Sequence, residues 1–241
     1  MVKIQRSKLM RLNKFLARSG VASRRKCDEY IASGKVQING KKVTDFSYQV
    51  QTDDIVLCDR HLVENTNERI VYLLNKPKGY ICTNSDTHDR KKVVDLLPLK
   101  ERLFTIGRLD RDTTGAILVT NDGDLANKLM HPRFKKEKIY LAETKEDIED
   151  NLLPSLENGI RLDRGDLAKG KIKRLDRYKG KILWEVILTE GKNREVKRIF
   201  EALGTHVVSL HRHSFAGLNV KDVKVGKYRQ LNSKMIESLL Q

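Results

Sequence analysis

Hydrophobic and polar positions alternate with a helical period at the start of the chain. Hydrophobic residues recur every three or four positions over 8–19, which predicts a helix that ends at Gly20. Ser23 has a suitable side chain for an N-cap and predicts a second helix over 24–33, with Gly34 as its stop.

Shorter hydrophobic runs follow, with the period and residue types of strands. Two β-prone runs flank Asn39 and Gly40, a dipeptide that favours the two-residue turn of a hairpin. A further strand is predicted over 54–57. These elements define a small N-terminal unit over 1–60, and the polar segment 61–69 is predicted to be a linker.

The remaining segment, 70–241, mixes β-prone runs with amphipathic stretches. Strands are predicted over 70–75, 105–106, 116–120, 139–143 and 182–188. Helices are predicted over 125–130, 145–153, 194–203 and 233–240. The strands are joined irregularly, without a steady strand–helix–strand rhythm, which favours an α+β fold with a mixed, mostly antiparallel sheet.

The charge of the chain indicates a polyanionic partner. Its 241 residues include 48 Lys and Arg against 32 Asp and Glu, a formal net charge of +16. Residues 1–60 carry 13 of these cations and 6 of the anions. Lys and Arg gain affinity for nucleic acids by releasing counterions from phosphates, so a nucleic acid is favoured over charge that serves solubility alone.

Composition also argues against several protein classes. No stretch has the hydrophobic length of a membrane span, and the basic start lacks the apolar region of a secretory signal. Cys27, Cys58 and Cys82 fit neither a disulfide framework nor a zinc site, and are expected to be buried or half-buried thiols in a reducing compartment. His211 and His213 share one face of a strand without a nearby ligand partner. The sequence therefore predicts a cytoplasmic protein without a metal site.

The first two predicted helices carry a cluster of cations. These are Arg11, Lys14, Arg18, Arg24 and Arg25. They form either a solvated charged face or a surface that binds RNA phosphates. The stretch RLNKFLARSGVASRRKCDEYIASGKVQINGKKV resembles the α-L RNA-binding module of a small-subunit ribosomal protein and several RNA-modifying enzymes, which implies the second.

Asp110 is the candidate catalytic residue. It follows a short hydrophobic run in IGRLDRDTTG, between Arg108 and Arg111, whose charges favour an ionised carboxylate. The alternative is a turn aspartate that hydrogen-bonds its own backbone, a role for which Asp112 has the stronger claim because a turn-like string follows it.

Four strings carry a resemblance to the RsuA/RluB-type ribosomal RNA pseudouridine synthases. They are NKPKGYICT, GRLDRDTTG with the following NDGDLANKLMHP, KEKIYLAE, and TEGKNREVKRIFEALG. The resemblance covers the chain from about Leu9 to its end. It implies that Asp110 is the essential aspartate, that Tyr140 stacks on the target base, and that Lys197 pairs with the aspartate.

The same resemblance implies that other cations contact RNA. Arg108 would fill the space left by the base or hold a phosphate, and Arg194 and Arg198 flank Lys197 in the third motif. One departure is that Lys192 and Lys197 stand where the family commonly has arginine, so the bidentate geometry of a guanidinium is lost there. Spacing alone leaves open which cation meets Asp110.

The implied reaction detaches uracil from its ribose, rotates it and reattaches it through carbon 5. It needs no cofactor, since there is no net redox change or hydrolysis. The expected substrate is ribosomal RNA, with the large subunit favoured by MHPRFKKEKIYLA, and the expected state is a monomer. Alternatives are a small-subunit rRNA pseudouridine synthase and a non-catalytic RNA-binding ribosome-assembly factor. A DNA-binding regulator fits less well because a hairpin follows the first two helices.

Overall fold

The structure, a computed structural model, describes residues 9–64, 68–98, 102–163 and 165–240. These residues form two compact units. The described residues up to Arg69, together with Arg102, make the first unit, and the second begins at Ile70.

The N-terminal unit packs two helices and short strands around a small core. Its elements are β1 Met10–Arg11, α1 Leu12–Arg18, α2 Arg24–Ala32, β2 Val36–Ile38, β3 Lys41–Lys42, β4 Gln49–Val50, β5 Val56–Cys58 and β6 His61–Leu62. One sheet has the strand order β3-β2-β5-β6, and β1 pairs with β4 in a second. The core contains Leu12, Leu16, Cys27, Ile31 and Cys58, all buried.

Local signals in the sequence determine where a helix begins and where a hairpin turns in this unit. Ser23 accepts a hydrogen bond from the N–H of Lys26 (3.2 Å) and caps α2. Asn39 and Gly40 have φ of 50° and 78°, the left-handed pair of the predicted hairpin turn. The helix predicted over 8–19 is shorter, because residues 10 and 11 pair with β4; residue 8 lies outside the described residues.

The segment predicted to be a linker begins as part of the sheet. His61 and Leu62 form β6 and pair with β5, with Leu62 opposite Leu57. The polar composition of 61–69 conceals this strand, because an edge strand needs few buried side chains.

The second unit is built on one large sheet. Its elements are β7 Val71–Lys76, β8 Phe104–Ile106, β9 Thr114–Thr120, α3 Gly123–Met130, β10 Lys138–Thr144, α4 Ser155–Asn158, β11 Ile160–Arg161, β12 Leu167–Ala168, β13 Gly170–Tyr178, β14 Lys181–Leu188, α5 Glu195–Ala202, β15 Val207–Phe215, β16 Leu218–Asn219, β17 Tyr228–Gln230 and α6 Ser233–Ser238. The strand order is β13-β14-β10-β15-β9-β7-β17, with β16 on β15 and β8 on β9. The ladder between β15 and β9 is parallel and the other ladders are antiparallel, so the predicted α+β fold with a mixed, mostly antiparallel sheet is confirmed.

Both faces of the sheet are covered, which explains the continuous hydrophobic runs in its central strands. On β9, Ile117 and Val119 belong to one buried cluster, whereas Ala116 and Leu118 belong to another. Successive side chains of a strand point to opposite faces, so a strand with two buried faces reads as an unbroken hydrophobic run.

The helix predicted over 145–153 is wrong. This stretch is irregular apart from a 3₁₀ turn at Asp150–Leu152. Asp147 and Asp150 instead pair with Arg174 on β13, a tertiary contact that the hydrophobic pattern cannot show. Strand β13 has no counterpart among the predicted elements, because the outward side chains of this sheet edge are mostly charged.

The burial of the free cysteines agrees with the prediction, since Cys27 and Cys58 are buried and Cys82 is half-buried.

Within the described part of the chain, no helix has the length and hydrophobicity needed to cross a bilayer.

Candidate active site

Asp110 lies on the loop that joins β8 to β9. Side chains alternate along this loop: Arg108 is exposed, Leu109 is buried in the core, and Asp110 lines a cleft. The N–H of Thr113 donates to the Asp110 carbonyl (3.1 Å) and closes a turn. Because the loop is anchored by Leu109 and closed by this hydrogen bond, the carboxylate of Asp110 is held at the cleft surface, 39% exposed.

A buried lysine holds the same loop from below. Lys76 is fully buried at the end of β7, and its Nζ donates to the carbonyl oxygens of Asp110 (3.0 Å), Arg111 (3.2 Å) and Thr113 (2.7 Å). Burial lowers the pKa of this ammonium, and nearby Cys82 and Asp112 oppose that shift. The sequence analysis missed Lys76; the available signal was a lysine directly after a hydrophobic strand and before Pro77.

Helix α5 brings Lys197 to the carboxylate. The Nζ of Lys197 is 3.7 Å from Oδ2 of Asp110, and the lysine side chain is 20% exposed. The hydrophobic stripe of α5, with Val196, Ile199 and Phe200, is buried in the core as the hydrophobic spacing predicts. Packing of that stripe therefore determines which cation of the third motif meets Asp110.

The two arginines that flank Lys197 have different environments. Arg194 is exposed, lines the cleft and precedes α5 with a φ of 50°. Arg198 is buried, with its side chain 6% exposed, and it pairs with Asp163 (Nε, 2.5 Å) and Asp166 (Nη1, 2.8 Å). The structure thus places the Arg198 guanidinium against two carboxylates of the same chain, whereas the sequence had suggested a contact with RNA.

Tyr140 lines a small pocket beside the carboxylate. The tyrosine lies on β10 and is 8% exposed. It bounds a pocket of about 60 Å³ together with Leu188, Val196 and Leu210, and both Asp110 and Lys197 also reach this pocket. The arrangement places one aromatic ring, one carboxylate and one ammonium around the same space.

A larger cleft of about 700 Å³ also reaches Asp110. It is lined by segments 81–90, 105–110 and 191–194, and by Met130. Its cations are Arg90, Arg108, Lys192 and Arg194, and its acids are Asp86 and Asp110. The excess of positive charge suits a polyanion that passes over the carboxylate.

The cations predicted in the first unit lie on and beside its two helices. Arg11 and Arg18 border or end α1, while Arg24 and Arg25 begin α2. These four side chains are exposed and Lys14 is half-buried. They remain candidates for phosphate contacts on the surface of this unit.

Among the residues that the structure describes, no three His, Cys, Asp or Glu side chains are grouped to hold a metal ion. His211 instead hydrogen-bonds through Nδ1 to Oγ1 of Thr114 (2.9 Å), and burial lowers its pKa. His211 therefore has a partner within the sheet.

Comparison with known proteins gives a consistent result for both units. A model of the RNA pseudouridylate synthase family matches residues 70–202, and a model of the S4 domain matches residues 10–56. The chain is 42% identical to the ribosomal large subunit pseudouridine synthase B of Bacillus subtilis over 232 residues, and this alignment covers 95% of each protein. It is 34% identical to the protein of the same name from Pseudomonas aeruginosa, over 95% of this chain and 61% of that protein.

A solved structure has the same architecture. The crystal structure of a pseudouridylate synthase matches with a TM-score of 0.69 at 31% identity, over 95% of this chain and 99% of the other. The resemblance of the sequence motifs is confirmed: the chain belongs to the RsuA/RluB-type RNA pseudouridine synthase family and carries an RNA-binding S4 domain at its N-terminal end.

Proposed function

We propose that this enzyme converts a specific uridine of large-subunit ribosomal RNA to pseudouridine in the cytoplasm, with Asp110 as the catalytic carboxylate. The substrate class is supported by the relatives from Bacillus subtilis and Pseudomonas aeruginosa, both named for the large ribosomal subunit. The observation that carries the role of Asp110 is its position 3.7 Å from Lys197, at a pocket that Tyr140 also lines.

The reaction rearranges bonds without a net change in composition. The N1–C1′ bond of the uridine breaks, the base rotates, and a C5–C1′ bond forms while C5 loses a proton and N1 gains one. Asp110 would add to the base, add to the sugar or remove a proton from the sugar. Each of these roles requires a carboxylate that reaches the target uridine, and that of Asp110 lies at the cleft surface beside Lys197.

The geometry also supports a role for the pocket in holding a base outside the RNA stack. A stacked uridine must be turned out before its glycosidic bond is reached, at a loss of stacking energy. The ring of Tyr140 would replace part of that stacking. Arg108 and Arg194 are exposed at the cleft and would contact the strand that remains outside the pocket.

The test is release of tritium from ribosomal RNA labelled at carbon 5 of uridine. We expect release by the wild-type enzyme and at least about a thousandfold slower release by Asp110→Asn. Asp112→Asn is the matched control, since it removes an exposed carboxylate from the same loop. Near-normal turnover by a folded Asp110→Asn protein would refute the assignment.

The same assay separates the alternatives by substrate. Release from large-subunit RNA or its immature subunit, followed by mapping of the modified nucleotide, would support the proposed substrate. Release only from small-subunit RNA would identify a small-subunit enzyme. Tight binding to both RNAs without any release would favour a non-catalytic assembly factor.

A further inference from the structure

One wall of the cleft beside Asp110 contains an ion pair between Asp86 and Arg90 that has no role in the proposed reaction. Residues 81–90 form this wall, and Asp86 and Arg90 both line the cleft. Nε and Nη2 of Arg90 both donate to Oδ1 of Asp86, at 3.0 and 2.5 Å. Oδ2 of Asp86 accepts the backbone N–H groups of His88 (3.2 Å) and Arg90 (2.8 Å).

The two partners differ greatly in exposure. The Asp86 side chain is 4% exposed, whereas the Arg90 side chain is 49% exposed. Hydrogen bonds from Arg90 hold the pKa of the Asp86 carboxyl well below its usual range, so it stays ionised. Within the described part of the chain, Nη1 of Arg90 has no hydrogen-bond partner, so this side of the guanidinium is available to the cleft.

Stability alone gives a poor account of this arrangement. Ion pairs with an exposed partner contribute little to folding. The backbone N–H groups of His88 and Arg90 would stabilise the turn at Asp86 without any arginine side chain. What the pair does achieve is a guanidinium held in one orientation before any ligand arrives, which lowers the entropy lost on binding.

The neighbouring charges identify the chemistry of that ligand. Arg108 and Arg194 reach the same cleft from two other segments, and both are exposed. The acids of the cleft are engaged, Asp86 with Arg90 and Asp110 with Lys197. Three guanidinium groups thus line one cleft, and a guanidinium matches the geometry of phosphate oxygens.

We infer that Arg90, positioned by Asp86, binds a backbone phosphate of the RNA strand next to the uridine that enters the pocket. The inference rests on the proposed function in that the strand is the substrate RNA. It adds a phosphate subsite on segment 81–90. A phosphate contact positions the strand without reading its sequence.

The first experiment compares Arg90→Gln with Arg177→Gln. Arg177 is a matched control because it is also exposed, at 61%, and also paired with an aspartate, but lies on β13 and does not line the cleft. Affinity for an in vitro transcribed fragment of large-subunit RNA is measured at several salt concentrations. Arg90→Gln should lower affinity about 5- to 20-fold at low salt and reduce the slope of log K against log salt by about 0.7–0.9, whereas Arg177→Gln should match the wild type.

Turnover gives a second readout that a merely structural role would not produce. Arg90→Gln should raise KM with kcat within about threefold of the wild type, because a flanking phosphate contact is the same in the ground and transition states. Equal affinity of Arg90→Gln and Arg177→Gln would overturn the inference. So would a fall in kcat together with a lower melting temperature, which would indicate a structural ion pair.

The phosphate itself is identified with synthetic RNA that carries one neutral methylphosphonate at a time. At one position next to the target uridine, neutralisation should weaken wild-type binding about as much as Arg90→Gln does, and should add nothing to that variant. Additive losses at every position would overturn the inference. The binding measurement does not depend on catalytic activity. An enzyme that binds this RNA but releases no tritium would therefore refute the proposed function, and the effect of Arg90→Gln on affinity could still be interpreted.

Discussion

Lys76 provides the sharpest test of how the fold positions the loop of Asp110. The nitrogen of its fully buried ammonium lies within hydrogen-bond distance of four carbonyl oxygens, three of them on the loop of Asp110 and the fourth that of its neighbour Pro77 (3.2 Å). Lys76→Met keeps a side chain of similar length and removes the charge and all three donors. The loop would then lose the charged donor that holds its backbone carbonyls.

The size of the effect follows from which carbonyls keep another donor. The Asp110 carbonyl also accepts the N–H of Thr113, and the Arg111 carbonyl accepts that of Gly79 (2.8 Å). A buried acceptor left unsatisfied costs about 1–3 kcal/mol, and the carbonyls of Pro77 and Thr113 are most affected. Relief of the buried charge offsets part of this loss, so we expect a net destabilisation of about 2–4 kcal/mol. For a unit of this size, that lowers the melting temperature by about 5–15 °C.

The assay combines thermal unfolding with tritium release below the transition. Because a shift of about 1 Å in a catalytic group can cost a hundredfold in rate, the folded variant should turn over about 100-fold more slowly. Lys78→Met is the matched control: it makes the same change at an exposed position two residues away and should leave both quantities unchanged. A Lys76→Met protein with wild-type melting temperature and turnover would refute the reasoning.

Three further outcomes follow from buried or constrained positions. Gly115→Ala should lower the melting temperature by at least about 6 °C, because φ is +103° and a Cβ would lie 2.2 Å from a carbonyl oxygen of β15. The control Gly123→Ala should leave the melting temperature unchanged, because the space around Gly123 is open. Arg198→Leu should lower the melting temperature without weakening RNA binding, and a selective loss of RNA affinity would contradict its place in an internal ion-pair network. Burial lowers the pKa of Lys138 to about 8, so between pH 8 and 10.5 this lysine binds more protons in the unfolded chain than in the folded one, and the free energy of unfolding should rise with pH. Lys138→Met should remove that contribution. An identical dependence of stability on pH in the variant and the wild type would contradict the prediction.

The family motifs could be recognised in the sequence because they combine a local turn with chemically functional residues. The position of Asp110 on a loop between two strands follows from the hydrophobic runs on either side of it. The hydrophobic spacing of α5 likewise predicted its buried face. Spacing alone left open which cation meets Asp110, because 194, 197 and 198 are all basic and only packing separates them.

Sequence by itself determined the local elements, the two-part organisation and the family, because these depend on side-chain period, caps, turns and contiguous motifs. The motif resemblance implied that Lys197 pairs with Asp110, but only tertiary structure supplied the packing that separates Lys197 from its basic neighbours. Tertiary structure alone decided that Arg198 pairs with two aspartates and that Lys76 supports the loop from 34 residues away. It also replaced the helix predicted over 145–153 with ion pairs to β13. The physical reason is common to all four: a charged side chain in isolation is equally suited to solvent, phosphate or a carboxylate, and only the fold supplies the partner that decides among them.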